Sequence, residues 1–331
     1  MEWERNFKTN GLDGPQKLPD NMYPYTSKRY GMTELEIKSL PDYLTQIFAH
    51  KSTEFYNDAA DLKILYRGQA NSSWSLLPSV FRTADDFQNE RVFIREYERQ
   101  MPEMCSGKDG LSILIDAQHF GIPTRLLDVT LNPLVALYFA CEDIPSSNEG
   151  RGPDGVVIQF EPSAVFQQDD ITALAYAEYV RHYKTGAHLS DGFKSALITS
   201  IKQSGCRFSN DAASAVENIL TDDPGQLFIS PTYSNARIIA QEGAFLLCAT
   251  SYVKEDDSNI WDGYFQAPNL KNSGLDHVDV RYVVPHAKKN EILQQLDSVG
   301  IRESTLFPDV EHKAKAITAA IRKSTLFSRS V

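Results

Sequence analysis

Apolar and polar positions alternate with two periods along this chain. Leu35, Ile37, Leu40, Tyr43, Leu44, Ile47 and Phe48 recur at near-helical spacing and predict a first helix closing near Lys51. Lys63 to Tyr66 predicts a short strand running into Arg67-Gly68, and SWSLLPSVFR (73–82) alternates before Pro78, as a strand followed by a turn would. Phe93, Tyr97 and Met101 repeat every four residues and place a charged surface helix over Phe87 to Met101. A further helix is predicted from Leu111 to His119, closed by Gly121 at a left-handed C′ position. Asn132-Pro133 is a helix start, with Asn as N-cap and Pro at N1, where the missing N–H has no partner to lose. The LVALYFACED run that follows is apolar on most faces and so predicted buried.

GVVIQF (155–160) predicts a strand, and Gln226 to Ser230, Gly243 to Cys248 and Val278 to Val284 predict three more. Residues 161–225 read as helical with loops, including a DDPG turn at 222–225. Lys288 to Val299, ended by Gly300, and Asp309 to Arg322 are predicted closing helices. Strands and helices mix without a regular βαβα rhythm, so the expected class is α+β, a mixed central sheet with surrounding helices. Residues 1–33 read as a polar N-terminal arm, and 34–331 as one domain including the C-terminal helices.

Composition narrows the function classes. Acidic residues outnumber basic ones by 44 to 33, a formal charge of −11 that argues against broad nucleic-acid binding. The basic tail with Lys313, Lys315, Arg322, Lys323 and Arg329 suits either a local nucleic-acid or acidic-protein contact or a solvated helix face. Four scattered cysteines without a CxxC pair, and histidines without HxH or HxxxH spacing, give a metal site no support. Neither a signal-peptide pattern nor an apolar run long enough for a membrane span is found, so a cytoplasmic location without membrane contact is expected. GxGxxG and GxxxxGK[ST] are likewise missing.

The candidate chemistry lies where polar residues crowd between apolar runs, because buried polar groups must be paired or used. Arg67, at a strand end beside Gly68 and Gln69, suits an anion clamp, since guanidinium binds phosphate bidentately and glycine admits close approach; pairing with Asp128 is the alternative. His119 falls at a helix C-terminus beside Gln118, where the dipole favours imidazolium; a ligand contact and a cap are both open. Arg125 and Asp128, three apart, would pair on a helical turn as a structural buttress. Thr124 and the helix starting at Pro133 offer donors to a phosphate. Arg237, Gln241 and Glu242 precede the strand AFLLCA; Glu242 could stabilise positive charge on a sugar or face water.

Four blocks, LYRGQANSSWSLLPSVFR, QHFGIPTRLLDVTLNPLVALYFA, ARIIAQEGAFLL and LQQLDSVGIRESTLFPD, resemble the FRG domain family in the family's order, over about residues 34–322. Its aromatic-Arg-Gly motif stands here as Tyr66-Arg67-Gly68, with Tyr in the Phe place. The residues carried over by position are Arg67, Gly68, Gln69, Gln118, His119, Gly121, Pro123, Thr124, Arg125, Asp128, Arg237, Gln241 and Gly243; at 242 members often carry Gln where this chain has Glu. The resemblance implies a bacterial or phage-associated protein of host–phage conflict, with a protein or nucleic-acid target and a neutralising or sensor partner. A second resemblance, in the order of Arg67, Tyr138-Phe139-Ala140 and Gln241/Glu242, is to ADP-ribosyltransferases, and implies a split sheet and NAD as substrate rather than a tightly bound cofactor. On that pattern Arg67 holds the pyrophosphate with Tyr66, Gly68, Gln69, Gln118 and Thr124 around it. His119 or Tyr138 then meets the nicotinamide ribose, and Gln241 or Glu242 steadies the oxocarbenium-like transition state. A nucleotide- or partner-binding module without catalysis is the alternative implied by the same residues.

Overall fold

The structure, a computed structural model, describes residues 33–51, 64–144, 152–162, 164–182, 191–203, 213–217, 226–248, 251–254, 263–266 and 278–308. Most of the N-terminal arm, the DDPG turn, the basic tail and the helix expected over Asp309 to Arg322 lie outside them.

The fold is α+β around a mixed eight-stranded sheet. In chain order the elements are β1 (Thr33–Glu36), α1 (Leu40–Lys51), β2 (Leu65–Gln69), a 3₁₀ turn (Ser79–Phe81), α2 (Ala84–Gln100), α3 (Pro102–Cys105), α4 (Gly110–His119), β3 (Leu126–Thr130), α5 (Pro133–Cys141), β4 (Gly155–Phe160) and β5 (Phe166–Gln167). There follow α6 (Ile171–His182), α7 (Asp191–Gln203), β6 (Gln226–Ser230), α8 (Ala236–Ala240), β7 (Gly243–Cys248), β8 (Ser251–Lys254), β9 (Gly263–Gln266), β10 (Val278–Val284), α9 (His286–Ser298) and α10 (Glu303–Leu306). Strand order is β1-β10-β4-β2-β3-β7-β6-β5, with β8 and β9 forming a separate ribbon. Among the described residues no helix is long and apolar enough to cross a membrane.

Several local signals work as expected: Asn132 caps α5 by accepting from the Leu134 amide. Two caps not foreseen from the sequence act in the same way, Thr83 accepting from Asp86 at α2 and Asp109 from Ser112 at α4. Gly121 (φ +85°) and Gly300 (φ +88°) take the left-handed conformation that ends α4 and α9. Others change. Leu35 lies in β1, paired parallel to β10, and Ile37 in the link to α1, which begins only at Leu40 with Pro41 in its first turn. The Arg67-Gly68-Gln69 triplet lies inside β2 rather than beyond it. SWSLLPSVFR forms no strand; it is irregular and closes in the 3₁₀ turn. The Leu126–Thr130 stretch, for which the sequence predicts no strand and in which Asp128 was expected to pair with Arg125 on a helical turn, is β3, a central strand paired over five positions with β7.

One face of the sheet carries helices in two halves. Ile37, Tyr66, Val157 and Tyr282 pack with α1, α5 and α9, while Leu126, Leu227 and Leu247 pack with α4 and α6. The opposite face buries Leu65, Val129, Ile158 and Leu246 against the Leu76–Phe81 segment. Between the halves the sheet is barely joined. β2 pairs with β4 at five positions but with β3 at one, Tyr66 with Thr130.

Helix α5 spans this weak seam and sits very close to the strands. A Cβ on Gly68 would lie 1.9 Å from the Ala136 carbonyl oxygen, and one on Gly155 would lie 1.9 Å from that of Ala140. Glycine at 68 therefore serves helix-on-strand packing, where sequence reasoning expected room for a ligand.

Candidate functional site

The seam between β2 and β3 opens into a cavity of about 510 Å³. Both faces of the sheet contribute. Trp74, Leu77 and Arg82 come from the segment after β2, Val135, Phe139 and Glu142 from α5 and its end, and Arg237 and Gln241 from α8 and its C-cap. The size falls in the range of roughly 300–1,000 Å³ usual for small-molecule sites.

Arg67 is the central cation. It points to the face shared by Leu65 and Ile158, and its Nη1 reaches across the seam to donate to the Asp128 carbonyl at 2.5 Å. Its Nε is enclosed and, among the described residues, has no partner. Burial lowers the guanidinium pKa to about 10; Asp128 opposes the shift and Arg82 adds to it. It remains charged at neutral pH, desolvated and short of a compensating anion, which is the electrostatic condition for capturing one. Arg82 and Arg237 add two more guanidinium groups to the walls, Arg237 resting 5.1 Å from the centre of the Phe307 ring.

A short relay orients the Asp128 carboxylate. Thr124 Oγ1 donates to Gln118 Oε1 at 2.6 Å, which fixes the amide so that Gln118 Nε2 donates to Asp128 Oδ1 at 2.8 Å. Thr124 itself is wholly buried, its amide bonded to Ser79 Oγ, and so is no phosphate donor. Arg125 and Asp128 do not pair. Residues three apart on an extended chain point to opposite faces. Arg125 instead makes a bidentate pair with Glu90 of α2, at 2.9 and 2.5 Å, both side chains almost fully enclosed.

The structure therefore brings Tyr66, Arg67, Gly68, Gln69, Asp128, Arg237 and Gln241 to one cavity. Tyr66 is buried, its hydroxyl has no partner among the described residues, and burial, then Glu161, raises its pKa. Gln118 and His119 line a smaller hollow of about 60 Å³, which shares Asp128, Arg237 and Gln241 with the main one. His119 is exposed and lies edge-on to Phe120. Gln241 donates its side-chain amide to the Leu306 carbonyl, and its own carbonyl accepts from Thr130.

Besides Thr124, two residues expected at the site lie elsewhere. Tyr138 packs against Phe139 in the core, its hydroxyl pushed up to about 12 by burial, then by Glu142 and Glu303. Glu242 is exposed at φ +45°, and its Oε1 accepts from Asn132 Nδ2 at 2.8 Å, outside the cavity lining. Conversely, Trp74, Arg82 and Glu142 line the cavity without having been singled out, and Phe139, named only within the Tyr138-Phe139-Ala140 run, lines it where Tyr138 does not. Only the proximity of Trp74 and Arg82 to the aromatic-Arg-Gly motif could have signalled two of them.

These features define an α+β protein with an arginine-walled cleft at a seam in its sheet. Residues 62–149, which contain β2, the Gln118–Asp128 relay and α5, match the family model of the FRG domain; the chain carries an FRG domain over that span. The first two blocks of the resemblance fall inside the matched span and the last two outside it. No curated protein and no solved structure matches the chain.

Proposed function

We propose that the cleft binds an NAD-type dinucleotide and that the protein acts on the bond between nicotinamide and ribose, in the setting of host–phage conflict. One observation carries the reading: Arg67 is a desolvated guanidinium whose Nε has no partner among the described residues, flanked by Arg82, in a cavity walled by Trp74 and Phe139. Guanidinium groups suit a pyrophosphate and the aromatic walls suit flat rings. A protein or nucleic-acid target would then accept the ADP-ribosyl group, or water would.

The test is direct. Purified protein is titrated with NAD by calorimetry and incubated with it while nicotinamide release and intact protein mass are followed. Arg67→Ala should weaken binding roughly 10- to 100-fold, the value of a hydrogen bond to a charged group. Growth of cells expressing wild type beside Arg67→Ala tests the conflict setting. Absence of binding at millimolar NAD, with no nicotinamide released and no mass change, refutes the proposal.

A second reading, a nucleotide-binding module without catalysis, is favoured by a specific observation. Gln241 and Glu242 are both committed to structural hydrogen bonds, with Leu306 and Asn132. NAD or nucleotide binding without nicotinamide release would select it.

A further inference from the structure

Three carboxylates line the cavity, and they are not equivalent. Asp128 is occupied by Gln118, and Asp143 is exposed. Glu142 is half-buried, and among the described residues nothing donates a hydrogen bond or forms an ion pair with its carboxylate. Its backbone is held firmly: its amide donates to Phe139 as the cap of α5, and its carbonyl accepts from Lys289 Nζ. The same Lys289, buried in α9, also donates to the Ala70 carbonyl at 2.6 Å, so one cation ties both of these wall segments together.

Position strengthens the contrast. Glu142 stands at the C-terminal end of α5, where the helix dipole is negative and favours a neighbouring cation. Arg67 belongs to β2 and Arg82 is the C-cap of the 3₁₀ turn, on the sheet's other face. The cleft thus offers Arg67 and Arg82 from one face and, from the other, the Glu142 carboxylate, which has Arg237 within electrostatic reach but no hydrogen-bonded or ion-paired partner among the described residues. Such a wall suits a ligand that carries an anionic linker and a cationic ring on one molecule.

Resting on the dinucleotide reading above, we infer that Glu142 is the specificity-determining carboxylate of the cleft, selecting a ligand whose ring is positively charged over one whose ring is neutral. Burial raises its pKa, and Glu303 adds to this; Arg237 and Lys289 oppose it, and the Tyr138 hydroxyl stands within electrostatic reach. A carboxylate so placed gains from a cation beside it, because the pairing offsets both the lost water and the Glu303 repulsion.

Carbocyclic NAD, which keeps the pyridinium charge but cannot be cleaved at the glycosidic bond, is compared with NADH, which has a neutral ring and a similar shape. Wild-type protein should bind the carbocyclic compound about tenfold more tightly at pH 8, and the preference should shrink as pH is lowered and Glu142 protonates. Glu142→Gln, checked for an unchanged melting temperature, should bring the two affinities within twofold while leaving that for NADH nearly unaltered. A wild-type ratio near one, or a ratio unchanged in Glu142→Gln, overturns the inference while leaving the dinucleotide reading standing. Failure of wild type to bind either compound overturns both.

Discussion

Replacing Glu90 by alanine is expected to destabilise the protein by about 3–5 kcal/mol, the range for removing one partner of a buried ion pair. Arg125 is fully enclosed and Glu90 is 2% exposed at the side chain, so no water can replace the lost carboxylate. Two charged hydrogen bonds disappear, Nε to Oε1 and Nη2 to Oε2. Among the described residues Nη1 already lacks a partner, and the Phe81 ring lies 5.8 Å away. Burial opposes the Arg125 charge, yet Glu90 outweighs it and holds the guanidinium pKa above its ordinary value. For a chain of this length the loss corresponds to a fall in melting temperature of roughly 4–7 °C. Urea unfolding followed by circular dichroism measures it directly. The double variant Glu90→Leu with Arg125→Met removes both charges and should recover to within about 1 kcal/mol of wild type, because the main cost of the single change is the orphaned charge. A single-variant loss below about 1 kcal/mol would mean that water reaches the pair, and the argument from burial would fail.

Gly68→Ala should cost more than about 2 kcal/mol, since the new methyl overlaps backbone of α5 rather than a side chain able to turn aside; a melting temperature within 2 °C of wild type would contradict this. At position 242, Val should cost about 1–2 kcal/mol because a β-branched residue resists φ +45°, whereas Gly should stay close to wild type, as relief of strain offsets the exposed bond to Asn132. Neither change should alter ligand affinity, and a tenfold loss in Glu242→Gly would return that carboxylate to the site. Burial pushes the Cys248 thiol up to about 12 from 9.0, so its contribution to stability is complete below pH 9 and is lost as pH rises towards 12. Thermal scans between pH 9 and 10, below the range where tyrosines ionise, should show a shallower decline for Cys248→Ala than for wild type; equal slopes would disprove the assignment.

Helix α5 was legible because its start rests on chemistry local to two residues, Asn132 and Pro133, and the closing glycines 121 and 300 likewise act within one turn. Arg67 and Gln241 were recognisable as site residues, being polar groups set beside apolar strands. The partner of Arg125 was not, since Glu90 lies 35 positions earlier on another element and no spacing rule links them. β3 was hidden for a related reason. Its Asp128 interrupts the apolar pattern, and only the seam beside it explains why a central strand exposes a carboxylate. Glu142 was passed over as the tail of an apolar run; its standing depends on α9 and α10, which arrive some 145 or more residues later.

The single rung between Tyr66 and Thr130 also governs how disturbance travels through the molecule. An ordinary sheet behaves as one plate, whereas this one is two rafts hinged at a point and clasped by α5. A mutation that loosens either raft should leave amide hydrogen exchange in the other nearly unchanged. A molecule lodged in the gap would act as a wedge touching both, slowing exchange on the two sides together.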